Sequence, residues 1–115
     1  MAETTITPTA MTAGTEIVVT AGVGTAINTS NTMVIAYPKQ GKLILYCDSN
    51  HASTAAVFTA GVGVSSGLGS FTWSIGDTVA EMIMLDSDRL VDADGNLEIT
   101  WATDSSGTLA AWYTI

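Results

Sequence analysis

Alternation in two short segments constrains this chain more than anything else in it. In Phe71-Thr72-Trp73-Ser74-Ile75 and in Leu97-Glu98-Ile99-Thr100-Trp101-Ala102, large apolar residues alternate with small or polar ones, the two-residue period of a half-buried strand. No apolar pattern of helical period runs long enough elsewhere to make a helix. Turn signals recur about every ten residues: Pro38-Lys39-Gln40-Gly41, Asp48-Ser49-Asn50, a glycine-rich stretch from Gly61 to Gly69, Gly76-Asp77, Asp94-Gly95-Asn96 and Ser105-Ser106-Gly107. Further strands are predicted at Glu16–Thr20, Thr32–Tyr37, Lys42–Asp48, Ala56–Thr59, Thr78–Asp86 and Leu109–Ile115. Eighteen threonines, many beside Val and Ile, favour the same state, because β-branched side chains suit a pleated surface. The expected fold is all-β, an antiparallel β-sandwich or a jelly-roll-like barrel.

At 115 residues the chain fits one domain. Residues 16–115 are expected to form it. Residues 1–15 read as an extended N-terminal arm, anchored only by Ile6 and Met11 and needing something external to hold it. The pentapeptide Thr20-Ala21-Gly22-Val23-Gly24 recurs as Thr59-Ala60-Gly61-Val62-Gly63; two copies fall short of a repeat architecture and read as a reused loop.

Charge excludes one class of partner. Three basic residues stand against eleven acidic ones, a net charge of −8, and Lys39, Lys42 and Arg89 cannot make the cationic surface that phosphate binding needs. No nucleic-acid partner is expected. The start lacks the basic and apolar regions of a secretory signal, and no apolar run approaches the ~18 residues of a membrane span, so the expectation is a protein folded in a cytoplasm with no membrane partner and Cys47 reduced.

Candidate chemical groups are sparse. One cysteine and one histidine can make neither an internal disulfide nor a structural zinc site. Cys47 and His51, with Asp48 between them, have the residue types of a nucleophile, base and orienter, but they fall where a strand ends in a turn, and Cys47 continues the Leu43 and Leu45 face as a small core residue. Asp86, Asp88, Asp92 and Asp94 form the densest charge cluster, yet an EF-hand alignment on Gly95 puts Leu90 and Trp101 at ligand positions; hydrogen bonding to turn backbone suits these aspartates better. The glycine loops have neither the following helix nor the Lys of a phosphate cradle. Nothing selects a carboxylate pair for glycoside hydrolysis. The expectation is no catalytic residues, no metal and no cofactor.

Thr78–Asp86 stands out by being apolar on both faces, with Val79, Ile83 and Leu85 on one side, interrupted by Glu81, and Ala80, Met82 and Met84 on the other. Either the strand is central in a closed barrel or one face meets a neighbouring subunit. Trp112, with Ala110, poses the same choice in the last strand. Met82, Met84 and Trp112 are therefore the candidates for an oligomer interface.

The segment Lys42-Leu43-Ile44-Leu45-Tyr46-Cys47-Asp48-Ser49, followed by Ala56-Val57-Phe58-Thr59-Ala60-Gly61, then Asp86-Ser87-Asp88-Arg89-Leu90, Asp94-Gly95-Asn96-Leu97-Glu98-Ile99-Thr100 and Thr108-Leu109-Ala110-Ala111, resembles in order the small structural proteins encoded beside the major capsid protein of tailed phages. The likeness runs from about Glu16 onward; the loop from Gly61 to Ser70 does not align. It implies a non-enzymatic decoration, or cement, subunit on the outside of a virion capsid, a homotrimer whose partner is the major capsid protein. On that reading the arm residues Thr4, Thr5, Ile6, Thr7, Pro8 and Thr9 are candidates for capsid contact, adding main chain to a sheet edge. Two alternatives remain: a carbohydrate-binding or adhesive module such as a head fibre base, using an exposed Trp as a stacking platform, or a tail or head–tail joining component.

Overall fold

The structure is a computed structural model that describes residues 3–11, 14, 24–37, 42–51, 54–59, 69–85 and 90–114. Ten strands occur in these residues: β1 (Glu3–Ile6), β2 (Thr9–Met11), β3 (Thr25–Ala26), β4 (Thr32–Ala36), β5 (Leu43–Ser49), β6 (Ala55–Phe58), β7 (Phe71–Ser74), β8 (Ala80–Leu85), β9 (Asn96–Trp101) and β10 (Gly107–Thr114). They form two packed sheets, a β-sandwich. Sheet A has the order β1-β4-β9-β6-β7; sheet B has the order β2-β10-β5-β8, with β3 also on β10.

Alternation dictates the core. Leu43, Leu45, Cys47 and Ser49 of β5 are buried while Ile44, Tyr46 and Asp48 between them are half-buried, so β5 turns its odd-numbered side chains inward. In sheet A, Ile99 and Leu97 of β9, Met33 and Ile35 of β4, Phe58 of β6 and Trp73 of β7 face them. Burial of such side chains contributes roughly 1.5–3 kcal/mol each. The predicted strands at Thr32–Tyr37, Lys42–Asp48, Ala56–Thr59, Phe71–Ile75, Thr78–Asp86, Leu97–Ala102 and Leu109–Ile115 all correspond to observed ones within one or two residues at most ends. That at Glu16–Thr20, the glycine-rich stretch up to Leu68 and most of both pentapeptides lie outside the described residues.

Two expectations need correcting. The sheets are mixed and not purely antiparallel: β1 runs parallel to β4 and β2 parallel to β10. The first strands are also not an arm awaiting a partner. β1 extends sheet A, burying Ile6 against the core, and after Thr7 and Pro8 the chain crosses to extend sheet B as β2. The physical reason is the unpaired edges of β4 and β10, whose N–H and C=O groups need partners. Asn31 Nδ2 adds a 3.1 Å hydrogen bond to Thr4 Oγ1.

Among the described residues, polar groups join the sheets at several places; one is the Tyr37 hydroxyl, which donates to the Leu85 carbonyl at 3.3 Å. At the end where β5 leads to β6, the buried Thr54 and Ser105 exchange bonds with neighbouring backbone: Ser106 N donates to Thr54 Oγ1 at 3.2 Å, and Ala55 N to Ser105 Oγ at 3.2 Å. Along the open side of the sandwich, Glu81 of β8 accepts from Gly76 N at 2.8 Å and from Trp73 Nε1 at 3.4 Å. Gly107 begins β10 at φ +132°, and a side chain there would run into the Asp48 carbonyl, so only glycine lets β10 start so close to β5.

Candidate functional site

Cys47 sits in the middle of the inner face of sheet B, fully buried. Burial, and after it the charges of Asp48 and Glu81, push its thiol up to about 12. A thiol held protonated is a poor nucleophile. His51 is exposed beyond the strand end, where its N–H donates to Ser49 Oγ at 3.3 Å and its carbonyl accepts from the same hydroxyl at 3.0 Å.

Of the aspartate cluster, Asp86 and Asp88 lie outside the described residues, as does Arg89. Asp92 shapes the turn before β9: its Oδ1 accepts from Asp94 N at 2.9 Å and Asn96 N at 3.0 Å, while its carbonyl accepts from Gly95 N at 3.1 Å. This is the side-chain-to-backbone bonding that makes Asp a turn residue. Glu98 projects nearby, and its carboxyl is raised above the usual value by desolvation first, then by the charge and hydrogen bond of Asp92 and the charges of Glu3 and Asp94. Among the described residues no group of three or more His, Cys, Asp and Glu could hold a metal ion, and no helix is long and apolar enough to cross a membrane.

The six arm residues are placed by β1, β2 and their link. Ile6 is buried and Thr4 and Pro8 half-buried, while Thr5, Thr7 and Thr9 expose their side chains. Among the described residues β1 ends sheet A, with no strand paired to its outer edge.

A surface suited to contact lies on the outer face of sheet B. Register places three rows of side chains across β8, β5 and β10: Met84, Ile44 and Trp112; Met82, Tyr46 and Ala110; Ala80, Asp48 and Thr108. Only Asp48 in these rows is charged. Met82 is 61% exposed and Met84 56%. Among the described residues β8 ends sheet B, which is not a central place in a closed barrel, and its Ala80, Met82 and Met84 side chains face outward. Trp112 belongs to this face but is only 7% exposed, its indole edge-on to the Tyr46 ring at 6.2 Å between centroids. It supports the face from within more than it presents a surface.

Ile44 and Tyr46 are members of the face that were not singled out from sequence, though the alternation of Lys42–Asp48 carries the signal. Trp73 and Trp101 are 7% and 3% exposed, so each of the three tryptophans is buried. The described residues also line two open grooves. One of about 520 Å³ is lined by Ala26, Ile27, Asp48, Asn50, Ser106 and Thr108 among others. The other, about 210 Å³, lies over Ala110 and Ala111, between the stretches of β10 paired by β3 and by β2. The arrangement offers area and shape for binding and no converging set of reactive groups among the described residues. No family model matches the chain, and neither the curated proteins nor the solved structures contain a match to it.

Proposed function

We propose that this chain is a non-enzymatic structural subunit that decorates the outside of a tailed-phage capsid, held there by contacts with the major capsid protein and with its own copies. The observation that carries the reading is the outward row of Met82 and Met84 on an edge strand, beside a nearly uncharged sheet face. Apolar area left in water forgoes roughly 25 cal/mol per Å², and patches of this kind mark contact surfaces, where Met is enriched. The shell setting comes from the ordered sequence segments that resemble the decoration family. Net charge supports it: a subunit at −8 is repelled by packaged nucleic acid and suits an outer surface. Such a subunit stabilises by mass action, since binding the assembled shell and not its separate parts shifts the equilibrium toward the shell.

The test is co-purification. Virions released by the host that carries this gene are banded on a density gradient, the chain is sought by mass spectrometry, and heads lacking it are compared in thermal stability before and after adding the purified protein. The expected result is presence in stoichiometric amount and a higher disruption temperature on addition. A chain absent from the particles, with no effect on the heads, overturns the reading.

A further inference from the structure

The backbone of β8 is as exposed as its side chains. Ser49 N donates to Val79 O at 2.9 Å, and in an antiparallel ladder this sets the phase of every later pair. Glu81, Ile83 and Leu85, opposite Cys47, Leu45 and Leu43, then direct their N–H and C=O groups at β5. Ala80, Met82 and Met84 direct theirs away from the sheet, where no further strand lies among the described residues. Among the described residues, the same three thus carry both the outward backbone groups and the exposed side chains.

We infer that β8 pairs with β8 of a second copy of this chain, antiparallel about a two-fold axis at Met82, fusing two copies of sheet B into one continuous sheet. Charge selects the occupant. A cationic partner would be met by carboxylates around the strand, but the one carboxylate on β8, Glu81, is turned inward onto Gly76 N and Trp73 Nε1. Two chains at −8 can approach only where neither presents charge, and this edge is such a place. The strand also lacks the exposed Lys, Pro or bulge by which sheet edges are ordinarily blocked.

Register follows from the same residues. With Met82 opposite the partner's Met82, Ala80 faces the partner's Met84 and Met84 the partner's Ala80, three pairs that give about six backbone hydrogen bonds. Glu81 then faces the partner's Ile83, so the two carboxylates are not opposed. Shifting the axis by one residue either opposes the two Glu81 side chains or loses a pair. With two exposed methionines and three strand pairs the interface is small beside the ~800 Å² per partner of standard complexes, so the dimer is weak and its population depends on concentration. This deepens the proposed assembly role and rests on sheet B being a contact surface, though it yields pairs where the family resemblance implies trimers.

Sedimentation velocity of the full chain from about 1 µM to about 500 µM tests the stoichiometry, and Met82→Cys tests the register. Paired Cα atoms about 5.5 Å apart allow a disulfide, so mild oxidation should link Met82→Cys into dimers, while Thr72→Cys on the outer face of β7 stays monomeric. Met84→Lys, at an exposed site, should raise the dissociation constant at least tenfold with an unchanged circular dichroism spectrum; Met82→Pro, which removes only an outward N–H, should do the same. A monomer at every concentration, a trimer, or a dimer that Met84→Lys leaves intact and Met82→Cys does not cross-link overturns the inference. A monomeric chain that still co-purifies with virions refutes the pairing alone; a dimer absent from virions refutes the shell reading alone.

Discussion

Cys47 is the buried group whose ionisation couples most plainly to stability. Its thiol has the usual value of 9.0 when unfolded and about 12 in the fold, where burial and the neighbouring Asp48 and Glu81 disfavour the thiolate. Between these values the unfolded chain releases a proton that the folded chain keeps, so stability falls as pH rises through the window and is unaffected below it. Cys47→Ala should cost on the order of 1 kcal/mol at pH 7, from a small cavity, and should flatten the decline between pH 9 and pH 11 measured by urea unfolding. Glu98 has the same sign of dependence, in the acid range. Its raised carboxyl means that the folded chain holds a proton more readily, so the charged form is a penalty at neutral pH that is relieved as pH falls through the raised value. Glu98→Gln should therefore raise the urea midpoint at pH 7, with the gain shrinking toward pH 4; an equal gain at both would assign it to something other than the charge.

Among the elements, the first two strands separate what the sequence discloses from what it conceals. Ile6→Ala should destabilise by about 2–4 kcal/mol, the cost of emptying a packed core position, and should leave the edges of β4 and β10 more open to association; chemical unfolding and light scattering check the two effects. Nothing in Glu3–Met11 shows an alternating apolar face, since Ile6 is its single large buried residue, and its pairing to β4 and β10 is parallel and distant in sequence. Such pairing comes from tertiary demand at a sheet edge and leaves no local mark. The inner residues of β5, β7 and β9 were legible because one buried face imposes the two-residue period. Met82 and Met84 were legible as anomalous, but which of the two sheet positions β8 takes depends on neighbours that period alone does not name. The choice that Trp112 poses in the sequence stays open there because its burial against Tyr46 depends on cross-strand register.

At the scale of the whole molecule, charge governs how copies meet. Each chain at −8 repels the next over distances that salt controls, with a screening length of about 10 Å at 0.1 M. Association through the uncharged β8 edge should strengthen as sodium chloride is raised from about 20 mM to about 300 mM, read as a falling dissociation constant in sedimentation. Weakening over that range would mean that opposite charges, and not an apolar strip, hold the copies together.

β10 lies between β5 on one side and β2 and β3 on the other, yet it follows all three in the chain. On the ribosome those strands emerge before the one that joins them, and sheet B has no centre until Gly107–Thr114 has left the exit tunnel. Closure of sheet B is thus a single late step across long sequence separations, the kind of step that places folding in the slow range of small domains and leaves unpaired edges exposed meanwhile. Nascent chains of increasing length should gain protease resistance in one abrupt step after β10 emerges, and chaperones would have their longest engagement with this protein just before it.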